Sequence, residues 1–283
     1  MPSITLPQGT IEYFDEGNPA GVPVVAVHGF LASAELWGTT AAALGERVRV
    51  LRPTLPLGSH RVPVHGTPGP REVAAILLAF LDAMGLEDPI LLGNDSGGAI
   101  CQLAVQAQPE RVRRLVLTNC DGFDQFPPFP FSLLRPMSRV PGLITALMQG
   151  TRVPRLNHAL VYGLLASGRH EELWRRFVEP FHANRAVRAQ AIGFMRQVDP
   201  AELVEASNAL GSWGGDALVV WGMRDRFFRP ALGQRLAATL GAPLVEVPDG
   251  KTFVCLDAPK VVADAVATFA QRSPATSSAV RIT

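Results

Sequence analysis

The run Pro89-Ile90-Leu91-Leu92-Gly93-Asn94-Asp95-Ser96-Gly97-Gly98-Ala99-Ile100 decides how this chain folds. An apolar segment, Ile90 to Leu92, meets a glycine-flanked turn, and a helix-forming stretch over residues 99–107 follows. Gly93-x-Asp95-x-Gly97 has the form of a strand turning sharply into a helix. Such a turn pushes its middle residue into a strained, exposed position at the C-terminal edge of a sheet. Glycines flank it because a Cβ there would strike the neighbouring strand or helix. The middle residue of these elbows is usually Ser; here it is Asp95. A Gly/Asn/Asp group after a strand is also an ordinary turn, so the weight of the reading rests on what surrounds it.

Working outward, residues 22–27 (Val-Pro-Val-Val-Ala-Val) are apolar and β-branched, as a strand buried on both faces requires. Residues 47–51, 112–118, 217–222 and 243–247 read as further strands, and residues 3–16 as a short strand pair. Helices are expected over 33–44, 71–84, 230–240 and 258–270. On 71–84, Val73, Ile76, Leu77, Phe80 and Leu81 share one face. Proline and glycine forbid regular structure between Pro53 and Pro70. Strands alternating with helices imply an α/β fold with a mostly parallel sheet covered on both faces. The alternation stops between Gly122 and Gly215, where only helix-like pieces occur, near 143–149, 156–166, 171–178 and 186–196. Ligands bind beyond the carboxyl ends of such strands, so this insert is expected to form a lid over Asp95.

Bulk composition narrows the function. In 283 residues, 47% are hydrophobic and 18% charged, which suits one α/β domain with an insert. A net charge of +1 gives no reason to expect nucleic acid or an anionic membrane as partner. Cys101, Cys120 and Cys255 are widely spaced without a C-x-x-C pattern, pointing to a reducing, cytoplasmic setting and no disulfide framework. The first residues lack a basic n-region and an apolar h-region, so no signal peptide is expected. No apolar run approaches the ~20 residues of a membrane span. No His/Cys/Asp group has metal-ligand spacing, and no dinucleotide or P-loop pattern occurs, so no metal and no cofactor are expected.

Over residues 10–272 the chain resembles the α/β-hydrolase superfamily. The matching pieces are His28-Gly29-Phe30 after a strand, the elbow at 93–98, the position of the insert, Trp221-Gly222-Met223-Arg224-Asp225 at a strand end, and Phe253-x-x-x-Asp257-x-Pro259. An Asp at the elbow is similar to the branch that contains haloalkane dehalogenases and epoxide hydrolases. The resemblance implies an eight-stranded, mostly parallel sheet with helices on both faces and a helical cap inserted after strand 6. The core would span 1–121 and 216–272, the cap 122–215, and a flexible tail 273–283.

By position, the resemblance makes Asp95 the nucleophile, whose carboxylate forms an ester with a substrate carbon. The backbone N–H groups of Phe30 and Ser96 become the oxyanion hole, with His28 supporting it. Asp225 falls at the acid position. Asn119 falls at an alternative acid position but cannot ionise. The general base of the pattern is a His, and here Thr252 stands in its place, with Lys251 where Gly is usual. No His follows His182. General-base assistance is worth ~10²–10⁴-fold, so its loss leaves an incomplete triad. His60, in the loop after a core strand, is the candidate replacement base, ahead of His158, His170 and His182 on the cap.

Substrate-binding groups of the branch are also missing. Ser96 follows the nucleophile where alkyl-halide dehalogenases place Trp. Tyr162 is the one cap tyrosine, where epoxide hydrolases use two. Phe123, with Phe126, Phe129 and Phe131, lines a pocket or anchors the cap. Asp121 reads as a turn residue at the cap's start. Expected binding residues are therefore His28, Asn119, Phe123, Lys251 and Thr252. The reading that follows is an enzyme acting on a small hydrophobic organic molecule, by ester, epoxide or carbon–halogen hydrolysis through Asp95. Two alternatives stay open: a lyase, decarboxylase or cyclase using Asp95 as base, and a hydrolase-like ligand-binding protein without catalysis. Oligomeric state is not fixed by these residues.

Overall fold

A computed structural model describes residues 1–272, apart from the side chain of Leu160; the expected tail, 273–283, lies outside the described residues. Eight strands form one sheet: β1 (Ser3–Leu6), β2 (Gly9–Gly17), β3 (Pro23–Val27), β4 (Arg49–Pro53), β5 (Ile90–Asp95), β6 (Arg114–Cys120), β7 (Asp216–Gly222) and β8 (Leu244–Val247). Their order is β1-β2-β4-β3-β5-β6-β7-β8. β1 and β2 pair antiparallel, β2 meets β4 antiparallel, and all pairs from β4 to β8 are parallel.

This order places the site. From β3 the chain steps to β4 on one side, then returns to β5 on the other. That reversal opens a crevice between the ends of β3 and β5. His28-Gly29-Phe30 leaves β3 at the crevice, and the elbow leaves β5 beside it. Pairing of β5 with β6 slips between Gly93 and Asp95, so the strand breaks register where it turns into the helix.

Helices cover both faces. On one side, α2 (Pro70–Ala83) and α3 (Ser96–Ala107) close over Val25, Leu51, Leu91 and Leu115. On the other, α1 (Gly38–Leu44) and the helix Pro259–Ala270 close over Val24, Val50, Leu92 and Val116. The apolar face expected on α2 is the buried one: Val73, Ile76, Leu77, Phe80 and Leu81 are each at most 1% exposed. Burial of side chains this size stabilises by roughly 1.5–3 kcal/mol each. Pro70 opens α2, and the Glu72 carboxylate accepts from the free N–H of Gly69 at 3.1 Å.

Between β6 and β7 the named elements are all helical. The helix near 171 runs on to Ala183 and carries Pro180 inside it, and Arg185–Gln197 follows. A third helix, Pro200–Ala209, is not expected from the sequence. It packs on α3, where Ser207 Oγ donates to Gln102 Oε1 (2.7 Å) and accepts from the Phe123 N–H (2.8 Å). This helix lies within the expected cap bounds, 122–215, and packs on a helix of the core.

The elbow is crowded by design of its backbone. A Cβ on Gly97 would collide with the carbonyl oxygens of Val27 and His28. Gly97→Ala is expected to cost about 2–3 kcal/mol of stability, read as a lower urea midpoint at unchanged slope.

Candidate active site

Asp95 is the last residue of β5 and the N-cap of α3, with φ 54° and ψ −136°. A non-glycine residue held at positive φ is strained by about 1–3 kcal/mol and persists only where its surroundings fix it. Here the neighbours do so. Asn94 and Ser96 on either side are buried, and Gly29 leaves no room for a Cβ against the Asp95 carboxyl. Asp95 itself keeps partial access. Burial raises its pKa to about 7, and the charge of Asp225 pushes the same way. The nearby backbone N–H groups of Ser96 and Phe30 oppose both by favouring the charged carboxylate. The two N–H groups expected to form the oxyanion hole are thus near enough to bear on the acidic side chain.

Asp225 sits just beyond β7. Its Oδ1 accepts from the N–H groups of Phe227 (2.8 Å) and Phe228 (3.1 Å), and its Oδ2 from Asn119 Nδ2 (2.9 Å). Burial raises its pKa to about 6 against those bonds. Asn119 is a clamp: its Oδ1 accepts from Gly222 N–H at 2.6 Å and its Nδ2 donates to Gly222 O at 3.0 Å. It extends the β6–β7 pairing by one side chain and points Asp225. Asn119→Ala would strand a buried N–H, a carbonyl and a carboxylate, at an expected cost of about 2–4 kcal/mol, measurable by chemical denaturation.

Thr252, fully buried, lies beside Asp225 and lowers its pKa, yet Thr252 Oγ1 closes no hydrogen bond of good geometry. Its carbonyl accepts from Asn94 Nδ2 at 2.7 Å. The place of the expected imidazole is therefore lined by a hydroxyl and two carboxyl groups that share an electrostatic field.

The histidines are spent elsewhere. His28 Nε2 accepts from Leu55 N–H and its Nδ1 pairs with Gly29 O, both at 2.9 Å. Burial pushes its pKa down to about 4, so it is a neutral strut under the Gly29 turn. His60 Nδ1 accepts from Gly58 N–H (3.3 Å) and its Nε2 pairs with Gln190 Oε1 (2.7 Å). Gln190 Nε2 in turn donates to the carbonyls of Val64 and Gly66. Burial lowers the His60 pKa to about 4 as well. The candidate replacement base is a rivet between the insert and the loop after β4, and among the described residues no histidine hydrogen-bonds to Asp95.

Lys251 also turns away. Its Nζ donates to the carbonyls of Gly163 (3.3 Å) and Ala166 (3.2 Å) at the end of a short insert helix. Phe253 N–H donates to Leu165 O (2.8 Å) in the same seam. Phe123, at φ 52°, is buried with the Arg235 guanidinium 3.5 Å from its ring centroid. It anchors the start of the insert.

The family can be settled on sequence. A family model described as alpha/beta hydrolase fold matches residues 22–259. Haloalkane dehalogenase 2 of Mycobacterium tuberculosis is 30% identical over 268 residues, covering 92% of this chain and 91% of that protein. The chain belongs to the alpha/beta hydrolase family. A 2-hydroxy-6-oxononadienedioate/2-hydroxy-6-oxononatrienedioate hydrolase of Cupriavidus pinatubonensis is 26% identical over 83% of this chain and 82% of its own length. A putative ancestral haloalkane dehalogenase shares the fold at TM-score 0.75 and 21% identity, over 95% of this chain and 98% of that one.

Three residues of this hydrolase acquire meaning only in three dimensions. Asp121 is fully buried, neither carboxyl oxygen has a partner of good geometry, and burial with the nearby Asp95 charge raises its pKa well above normal. The one-residue offset from the end of β6 was the signal available, since β6 ends beside the elbow. Tyr162 donates its hydroxyl to Leu31 O at 2.6 Å and lies within reach of the Asp95 charge. It stacks on Trp174 at 4.8 Å, near Phe177 and Phe253. Trp174 Nε1 is buried there with no acceptor.

Proposed function

We propose that this hydrolase attacks an sp³ carbon bearing a halogen in a small hydrophobic substrate, with Asp95 as nucleophile and with slow release of the product. The observation that carries the reading is Asp95 held at φ 54° on the elbow, its carboxyl packed against the Gly29 backbone beside the Ser96 and Phe30 N–H groups. In this reading the oxygen nearer those N–H groups becomes the ester carbonyl, and the other attacks. In the first step an Asp95 O–C bond forms and the carbon–halogen bond breaks, the halide leaving with the electron pair. That step needs no proton donor. Epoxide opening does, and the Tyr162 hydroxyl is already given to Leu31 O.

In the second step water adds to the ester carbonyl, the alcohol departs and the carboxylate returns. With Thr252 in place of an imidazole, Asp225 is the carboxyl left to accept the water's proton. Its pKa near 6 makes it a weaker base than an oriented histidine at neutral pH. Halide release should therefore show a burst of about one equivalent per enzyme followed by a slow phase. The burst rate should rise about tenfold per pH unit up to about pH 7 and level off above it, because Asp95 must be ionised to attack. A linear time course without a burst would count against the two-step scheme.

A second reading has one observation in its favour: a carboxyl with a pKa near 7 and no histidine partner suits a general base. Asp95 would then remove a carbon-bound proton, and the product would carry no oxygen from labelled water.

A further inference from the structure

The whole-chain charge of +1 conceals a segregation. The chain holds 26 Lys and Arg against 25 Asp and Glu; five of those cations and none of the acids fall between 125 and 170. They are Arg135, Arg139, Arg152, Arg155 and Arg169, and among the described residues none forms an ion pair. The same segment holds seven of the ten large apolar side chains exposed among the described residues. Phe129 is 74% exposed, and Leu133, Leu147 and Leu156 between 45% and 51%. Its helices are short, among them Leu134–Met137, Leu143–Met148 and Pro154–Asn157, and each can turn only part of its apolar surface inward. Ile144 packs on Phe181 and Ala191, and Tyr162 on Trp174. Leu133, Leu147, Leu156 and Leu164 face out.

We infer that this segment is a docking surface for an anionic lipid bilayer. Exposed apolar side chains interleaved with unpaired arginines match an interfacial surface: the leucines enter the acyl boundary while guanidinium groups stay at the headgroups. Charge selects this occupant over a second copy of the chain. In a two-fold dimer the segment would meet itself, and apart from Glu171 and Glu179, which share a groove with Arg152, it would set arginine against arginine. Reach to the site is short. Tyr162, in the same segment, bonds to Leu31, next to the oxyanion donor Phe30. Lys251 and Phe253, flanking Thr252, hold the end of the segment at Gly163, Leu165 and Ala166. The segment thus touches residues next to Phe30 and on both sides of Thr252. The inference is independent of the chemistry Asp95 performs.

Co-sedimentation of the full chain with vesicles tests it. Binding is expected to phosphatidylcholine vesicles containing phosphatidylglycerol, to be much weaker to phosphatidylcholine alone, and to fall at high salt. Each exposed arginine near an anionic surface is worth about a fivefold change in partitioning. Replacing Arg139, Arg152, Arg155 and Arg169 together with Gln should then weaken binding roughly a hundredfold or more. Leu133→Ser with Leu147→Ser and Leu156→Ser should weaken it at every salt concentration, and Val261→Ser, exposed elsewhere, should not. If the leucine variant fails to fold, the arginine variant and the salt dependence still decide. Equal binding to neutral and anionic vesicles, no binding to either, or a dimer that the leucine substitutions dissociate would each overturn the inference.

Discussion

Thr252→His should raise steady-state turnover of a halogenated substrate by about 10²–10⁴-fold. The environment for an imidazole is in place. Asp225 is buried at the end of β7 and oriented by Phe227, Phe228 and Asn119, so it can accept from the ring and fix its tautomer. Asp95 lies close enough for its pKa to respond to the Asp225 charge. The burst should keep its amplitude while the slow phase accelerates, because the imidazole acts on the ester and not on its formation. Folding can be checked by thermal melting, since Thr252 is fully buried and the larger ring must be accommodated. A folded variant with an unchanged slow phase would show that loss of the histidine is not what limits this enzyme.

Asp95→Asn should abolish the burst and, above pH 7, make the protein more stable by about 2–4 kcal/mol. The folded pKa of Asp95 is raised to about 7 from an ordinary value of 3.8. Below 3.8 the carboxyl is protonated in both states and there is no penalty. Between 3.8 and 7 the unfolded chain loses this proton while the folded chain keeps it, so the folded state of the parent protein weakens as pH rises. The amide has no such dependence and still offers an oxygen to the Ser96 and Phe30 N–H groups. Urea unfolding of the two proteins should therefore coincide near pH 4 and separate by pH 8, with the variant the more stable. Equal pH dependence would mean that the carboxyl is solvated and unstrained.

How much of this was open to a reader of the sequence varies with the range of the interaction. The elbow, the strand ends and the apolar face of α2 follow from local pattern, because glycine placement and hydrophobic period are read within a dozen residues. The pairing of Asp95 with Asp225 followed from the resemblance, which orders strand ends. The roles of His60 and Lys251, and the choice between the two roles open to Phe123, depend on partners far along the chain: Gln190, the carbonyls of Gly163 and Ala166, and Arg235. A histidine in a loop at the catalytic edge looks the same whether it faces substrate or a glutamine. Asp121 read as a turn because Asp after a strand commonly is one; its burial comes from the neighbouring elbow. The helix Pro200–Ala209 escaped because its apolar face is narrow and its seat on α3 is set by Ser207 and Gln102.

The most direct measurement is the intact mass of the protein after incubation with a short 1-bromoalkane, followed by mapping of the modified peptide. A gain equal to one alkyl group in place of one hydrogen, carried by the peptide containing Asp95 and absent from Asp95→Asn, is the predicted result. Complete substrate consumption with no adduct at any time, or an adduct on another residue, would contradict the assignment of Asp95 as nucleophile.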